Sequence, residues 1–178
     1  MVKKFAIFLL LGLFNAAGVN AASMSEIDRF KKIITVGDVI ECSADLKVKY
    51  NKEKYNIAMR TVSKSLRIAD KNALYNSVTY YSLPGKRVPY MRIDFNMALT
   101  NEGEGQWAKI EPDSVKVLYF SDPNIEKQTA DEIRKMSPRY TPWKDVTFTH
   151  FPDYMVKMKS PTVETGEIIQ YCHLLNKK

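Results

Sequence analysis

The chain has 178 residues, 45% of them hydrophobic and 26% charged, with a formal net charge of +7. That is enough for one domain with its own core and too little for two ordinary ones. An average composition without repeats or low-complexity tracts excludes solenoid, fibrous and disordered classes.

The first residues carry Lys3 and Lys4, then the apolar run Phe5 to Phe14, then small residues ending Val19-Asn20-Ala21-Ala22. This is the pattern of a secretory signal peptide over residues 1–22, with cleavage expected after Ala21 or Ala22. The run is short for a bilayer span, and the first cysteine, Cys42, lies too far on for lipid attachment at a processed cysteine. The expectation is an exported mature chain, 23–178, forming a single globular β-rich domain in the periplasm or outside the cell, with no transmembrane segment.

Ser23 and Glu26 have capping-box spacing, and Ile27, Phe30 and Ile33/Ile34 follow at helical intervals before Gly37. The spacing predicts a short amphipathic helix that packs as a lid. From Val39 the period becomes two. Leu46, Val48 and Tyr50 alternate with Lys47 and Lys49, and Asn51 to Lys54 reads as a turn. Tyr55 to Ala69 fits both a helical spacing and a long strand with a bulge, and turn signals on both sides decide for strand. After a turn at Asp70-Lys71-Asn72 comes a strand over 73–83. Pro84-Gly85 then suits a type II turn.

The clearest strand is 91–99. Met91, Ile93, Phe95, Met97 and Leu99 share one face and Arg92, Asp94 and Asn96 the other. Further strands are expected at 106–110 (with Trp107 in the core), 115–120, 146–151, 154–158 and 167–175. Between them Asp122 can cap a helix at about 123–136, with Pro123 at its first position and Pro138 beyond its end. The ten tyrosines and eight phenylalanines suit strands. The expected fold is mainly β: a small antiparallel β-barrel or sandwich with an N-terminal helix and one inserted helix.

Cys42 and Cys172 are the only cysteines. In an exported chain such a pair is expected to be bridged, stapling the first strand to the last and making them neighbours. No Cys-X-X-Cys spacing supports a redox role. His150 and His173 have no metal-ligand spacing, so no cofactor or metal is expected. No nucleophile elbow or Ser-X-X-Lys stands in a recognisable context, and Glu102-Gly103-Glu104 reads as a turn.

Two surfaces stand out. Lys47, Lys49, Lys52, Lys54, Arg60, Lys64, Arg67 and Lys71 concentrate the positive charge of the mature chain, which would steer acidic partners. Such a face is also what an ordinary solvated sheet presents. The segment 137–144 holds Arg139, Tyr140, Trp143 and Lys144 between two prolines, residue types found at binding hot spots, although Trp143 equally suits a plug in a barrel end.

Ser65-Leu66-Arg67-Ile68-Ala69-Asp70, Gly85-Lys86-Arg87-Val88-Pro89-Tyr90 with the strand after it, and Tyr171-Cys172 resemble the VirK-type exported proteins of Gram-negative bacteria. The resemblance covers about a quarter of the chain. It implies a small exported, virulence-associated protein and no active-site residues.

The functional expectation is a non-catalytic exported binding protein, of inhibitor, immunity or virulence type, whose partner is a protein or an anionic envelope component and not nucleic acid. The alternative is a β-barrel carrier of a small apolar or amphipathic ligand. An envelope enzyme with an unrecognised site ranks third.

Overall fold

The computed structural model describes residues 21–50, 52–120, 122–160 and 162–175. All of the expected leader but Ala21 and Ala22 lies outside the described residues.

Helix α1 is Met24–Ile33. Its capping box forms: the Glu26 amide donates to the Ser23 hydroxyl at 3.3 Å, and the Ser23 amide donates to the Glu26 carboxylate at 2.9 Å. The strands are β1 Val39–Tyr50, β2 Glu53–Ile68, β3 Asn72–Ser82, β4 Met91–Glu102, β5 Gly105–Ile110 and β6 Lys116–Tyr119. After helix α2, Pro123–Arg134, come β7 Arg139–Pro142, β8 Val146–His150, β9 Asp153–Lys159 and β10 Glu167–Leu175.

Nine strands follow one antiparallel path, β7-β5-β4-β3-β2-β1-β10-β9-β8, and β6 pairs with β4 beside it. The two ends of that path, β7 and β8, are consecutive in the chain and joined by the 3-10 turn Trp143–Asp145. The sheet therefore curls until a single turn bridges its edges. The result is a nearly closed barrel rather than a sandwich.

Several sequence signals act as expected. Leu83 and Lys86 close the Pro84-Gly85 turn with a 3.0 Å hydrogen bond, Gly85 having φ +73°. The register of β2 against β3 shifts between Ser65 and Arg67, which makes Leu66 the bulged residue. Asp122 accepts from the Asn124 amide at the start of α2. Cys42 and Cys172 are paired in the register of β1 and β10 and bonded as a disulfide.

Three details differ. Lys52 has φ +70° and β2 already begins at Glu53, inside the expected 51–54 turn. Residues 139–142 form an edge strand on β5 instead of a stiff loop. Trp107 is on the outer face of β5, 39% exposed and stacked on Tyr140 at 5.0 Å, not in the core.

The interior has two parts. In one half Leu46, Val48, Met59, Tyr81 and Ile93 pack against Ala130 and Ile133 of α2, which closes that end. In the other half α1 lies over the barrel. Ile27 packs on Trp143 and Val146, and Phe30 contacts the rings of Phe148 and Tyr154. The Ala22 amide donates to the Val146 carbonyl at 2.7 Å and ties the chain before α1 to β8.

Candidate functional site

Beneath α1 the barrel is hollow, with a cavity of about 700 Å3 whose wall includes residues of β1–β5 and β7–β10. Pairing explains the space. Facing inward on β2 and β3 are the register pairs Thr61/Thr79 and Ser63/Ser77, and each pair hydrogen-bonds side chain to side chain, at 2.9 and 2.8 Å. These short side chains satisfy one another and leave the centre unfilled. Around them stand apolar groups, among them Ile40, Met97, Leu99, Phe148 and Met158. The bridged Cys42 and Cys172 belong to the same wall. That mixture of an apolar lining and a few polar groups is typical of sites for small organic molecules.

The rim is set by α1 and Trp143. Trp143 is 9% exposed, its amide bonds to the Glu104 carbonyl at 2.8 Å, and its indole N–H is buried with no hydrogen-bond partner. Lys31 of α1 holds its ammonium over the Trp143 ring at 4.9 Å while pairing with Asp28 at 3.6 Å. Tyr75 and Tyr154 also line the cavity, and burial pushes the Tyr75 hydroxyl up to about 12 and Tyr154 still higher, so both phenols stay neutral donors at ordinary pH.

The 139–144 residues do not act as one surface. Strand β7 turns Arg139 and Thr141 inward, while Tyr140 points out against Trp107 and is 42% exposed. Trp143 is the plug and Lys144 is exposed. Arg139 is partly buried, and desolvation lowers its pKa.

The eight basic residues are all exposed but fall into two groups. Lys47, Lys49, Lys52 and Lys54 sit around the first hairpin and Lys64, Arg67 and Lys71 at the other end of β2, with Arg60 between them. At roughly 3.3 Å per residue the stretch from Lys54 to Lys64 covers about 33 Å. Carboxylates from outside the segment pair with two of them, Glu164 with Lys54 and Glu41 with Arg60.

Among the described residues no group of three or more His, Cys, Asp or Glu is placed to hold a metal ion. His173 pairs with Asp153 at 3.0 Å on the outer face and His150 is exposed. No described helix is long and apolar enough to cross a membrane. Residues that sequence reasoning passed over, notably Thr61, Ser63, Ala108 and Thr141, form much of the cavity wall. Their signal was the small size of inward-facing positions, which shows only once register is known. Compared with protein-family models, curated proteins and solved structures, the chain matches none of them.

Proposed function

We propose that this is a non-catalytic carrier or sensor that holds a small amphipathic molecule in the cavity beneath α1. The observation that carries the reading is the cavity itself, about 700 Å3 inside a nearly closed barrel and lying beneath one short helix. A void of that size in a small domain forfeits contact energy that filling the core would recover, so its retention needs a use. The leader pattern, the disulfide and the VirK-type resemblance support an exported setting in which such a carrier would work.

Trp143 in the wall supplies the assay. In a Trp107→Phe background its emission should respond saturably to an anionic fluorescent amphiphile such as anilinonaphthalene sulfonate, and Ala108→Phe, which fills the wall opposite β7, should abolish the response. Binding that Ala108→Phe leaves unchanged refutes the reading. A second reading, contact with a protein partner, is favoured by the outward Trp107–Tyr140 stack, an exposed aromatic pair of hot-spot type. In that case Tyr140→Ala would cost affinity for the partner and leave amphiphile binding intact.

A further inference from the structure

The outer face of the barrel carries a depression of its own, and register shows how it arises. Tyr171 of β10, Ser43 of β1, Arg60 of β2 and Tyr80 of β3 stand side by side in one row. In the next row Asp45, Ala58 and Ser82 are neighbours, with Ile169 two residues before Tyr171 on the same face of β10. The alternate residues Ala44, Met59 and Tyr81 are buried, so both rows face outward. Four adjacent members, Ser43, Asp45, Ala58 and Ser82, are short. The taller side chains around them, with Lys86 from the turn after β3, therefore bound a groove of about 360 Å3. At about 4.8 Å between strands, the way from β10 to β3 is about 14 Å. No residue that lines this groove also lines the cavity beneath α1.

The polar groups of the groove have no partners within the chain. Among the described residues Ser43, Asp45, Ser82 and Lys86 make no side-chain hydrogen bond or ion pair. Arg60 is answered by Glu41 at 2.5 Å, on the side of Ser43 away from Asp45. Tyr171 is 42% exposed and its ring stacks on no other described ring. The groove thus offers one carboxylate, one ammonium, two hydroxyls and a bare aromatic face, with no net charge.

We infer that this groove is a second binding site, independent of the cavity, and that it takes a neutral saccharide of one or two rings. Sugar hydroxyls both donate and accept, so Asp45 accepts from two of them, Lys86 donates, and Ser43 and Ser82 serve in either sense. The C–H face of the ring covers Tyr171 and removes apolar surface from water. An anion would meet Asp45 on the floor, and a cation would meet Lys86. A purely apolar occupant would cover four polar groups without answering any of them.

The test is a nuclear magnetic resonance titration of the isotope-labelled mature chain with maltose, cellobiose and di-N-acetylchitobiose, and with digalacturonate as the acidic counterpart. At least one neutral disaccharide should bind at millimolar concentration and shift the amides of 43–45, 58–60, 80–86 and 169–171, leaving 24–33 and the Trp143 indole unmoved. Ser43→Tyr, which fills the depression, should abolish the shifts. Tyr171→Ala and Asp45→Ala should each weaken binding about tenfold. Circular dichroism and melting of each variant separate misfolding from loss of the site. Absence of shifts with all three neutral disaccharides, shifts that persist in Ser43→Tyr, or an affinity unchanged in both alanine variants overturns the inference. Tighter binding of digalacturonate, lost in Lys86→Gln, overturns it in favour of an anion site. None of these outcomes touches the carrier reading, whose Ala108→Phe test concerns other residues.

Discussion

Removing the disulfide with Cys42→Ala/Cys172→Ala tests how the barrel is held shut. The bridge spans a sequence separation of 130, nearly the whole folded unit. Freeing so long a loop in the unfolded chain is worth about 5 kcal/mol in the chain-entropy treatment. With about 2.1 cal/mol/K of unfolding entropy per residue over roughly 150 residues, that loss lowers Tm by about 15 °C. The native state should change little, since β1 and β10 are also hydrogen-bonded through five register pairs from Val39/Leu175 to Ser43/Tyr171. Differential scanning calorimetry of the oxidised parent, the parent reduced with dithiothreitol and the double variant gives the result, with thiol alkylation verifying each state. Reduction keeps both sulfurs in the wall, so its difference from the alanine variant reports the packing of the two side chains, of which Cys172 is 2% exposed. The urea m-value should rise on reduction, because an uncrosslinked chain exposes more surface when it unfolds. A Tm loss below about 4 °C on full reduction, with no change in m, would refute the entropic argument and mean that the unfolded chain already keeps its first and last strands together.

Gly105→Ala should cost about 2 kcal/mol in urea unfolding, because a Cβ there would run into the Tyr140 ring and lie 2.7 Å from the Thr141 carbonyl, forcing β7 off β5. Ser23→Ala should loosen α1 by about 1 kcal/mol, read as roughly fivefold faster amide exchange within 24–33 while the sheet keeps its protection. Glu41 is held below the usual glutamate value, first by its hydrogen bond from Arg60. Its contribution is therefore complete above about pH 4.3 and is lost as pH falls through the lowered value, so Glu41→Gln should be less stable than the parent at pH 7 and converge with it toward pH 3 in urea midpoints. Ala108→Val should raise stability by about 1 kcal/mol, because its added methyls enter open space, whereas in a filled core the same change would destabilise by 1 kcal/mol or more.

The fold was legible wherever a local rule and the tertiary pattern pointed the same way. The alternation from Met91 to Leu99 marks a strand flanked on both sides, with β3 along one edge and β6 then β5 along the other. Asp122-Pro123 and Pro84-Gly85 act through their own dihedral preferences, and the two cysteines announce a contact that the register realises. Strand β7 was hidden because it is short, lies on an edge and ends in a proline, and all three features read as loop. Once β7 is missed, the direction of Arg139 cannot be known, since a residue's face depends on the pairing of its strand. Trp107 misleads for a related reason. The inward set on β5 is Gln106, Ala108 and Ile110, and a bulky outward tryptophan beside a small inward alanine reverses the usual sign of the pattern. The basic segment looked like one patch because neighbours in sequence along a strand are distant in space.

The hollow half of the barrel follows from strand number and inner side-chain size together. About eight strands enclose an interior that side chains can just fill, and each further strand widens it. With nine strands on the path, large residues alone do not fill the interior, and at one end α2 supplies the missing volume through Ala130 and Ile133. At the other end the chain does the opposite. It places threonine and serine pairs where β2 and β3 face inward, and alanine at 73 and 108, so this half of the barrel carries some of its smallest inward side chains. Helix α1 does not make up the difference, because only Ile27 on it is fully buried and Phe30 packs toward β8 and β9 rather than down the axis.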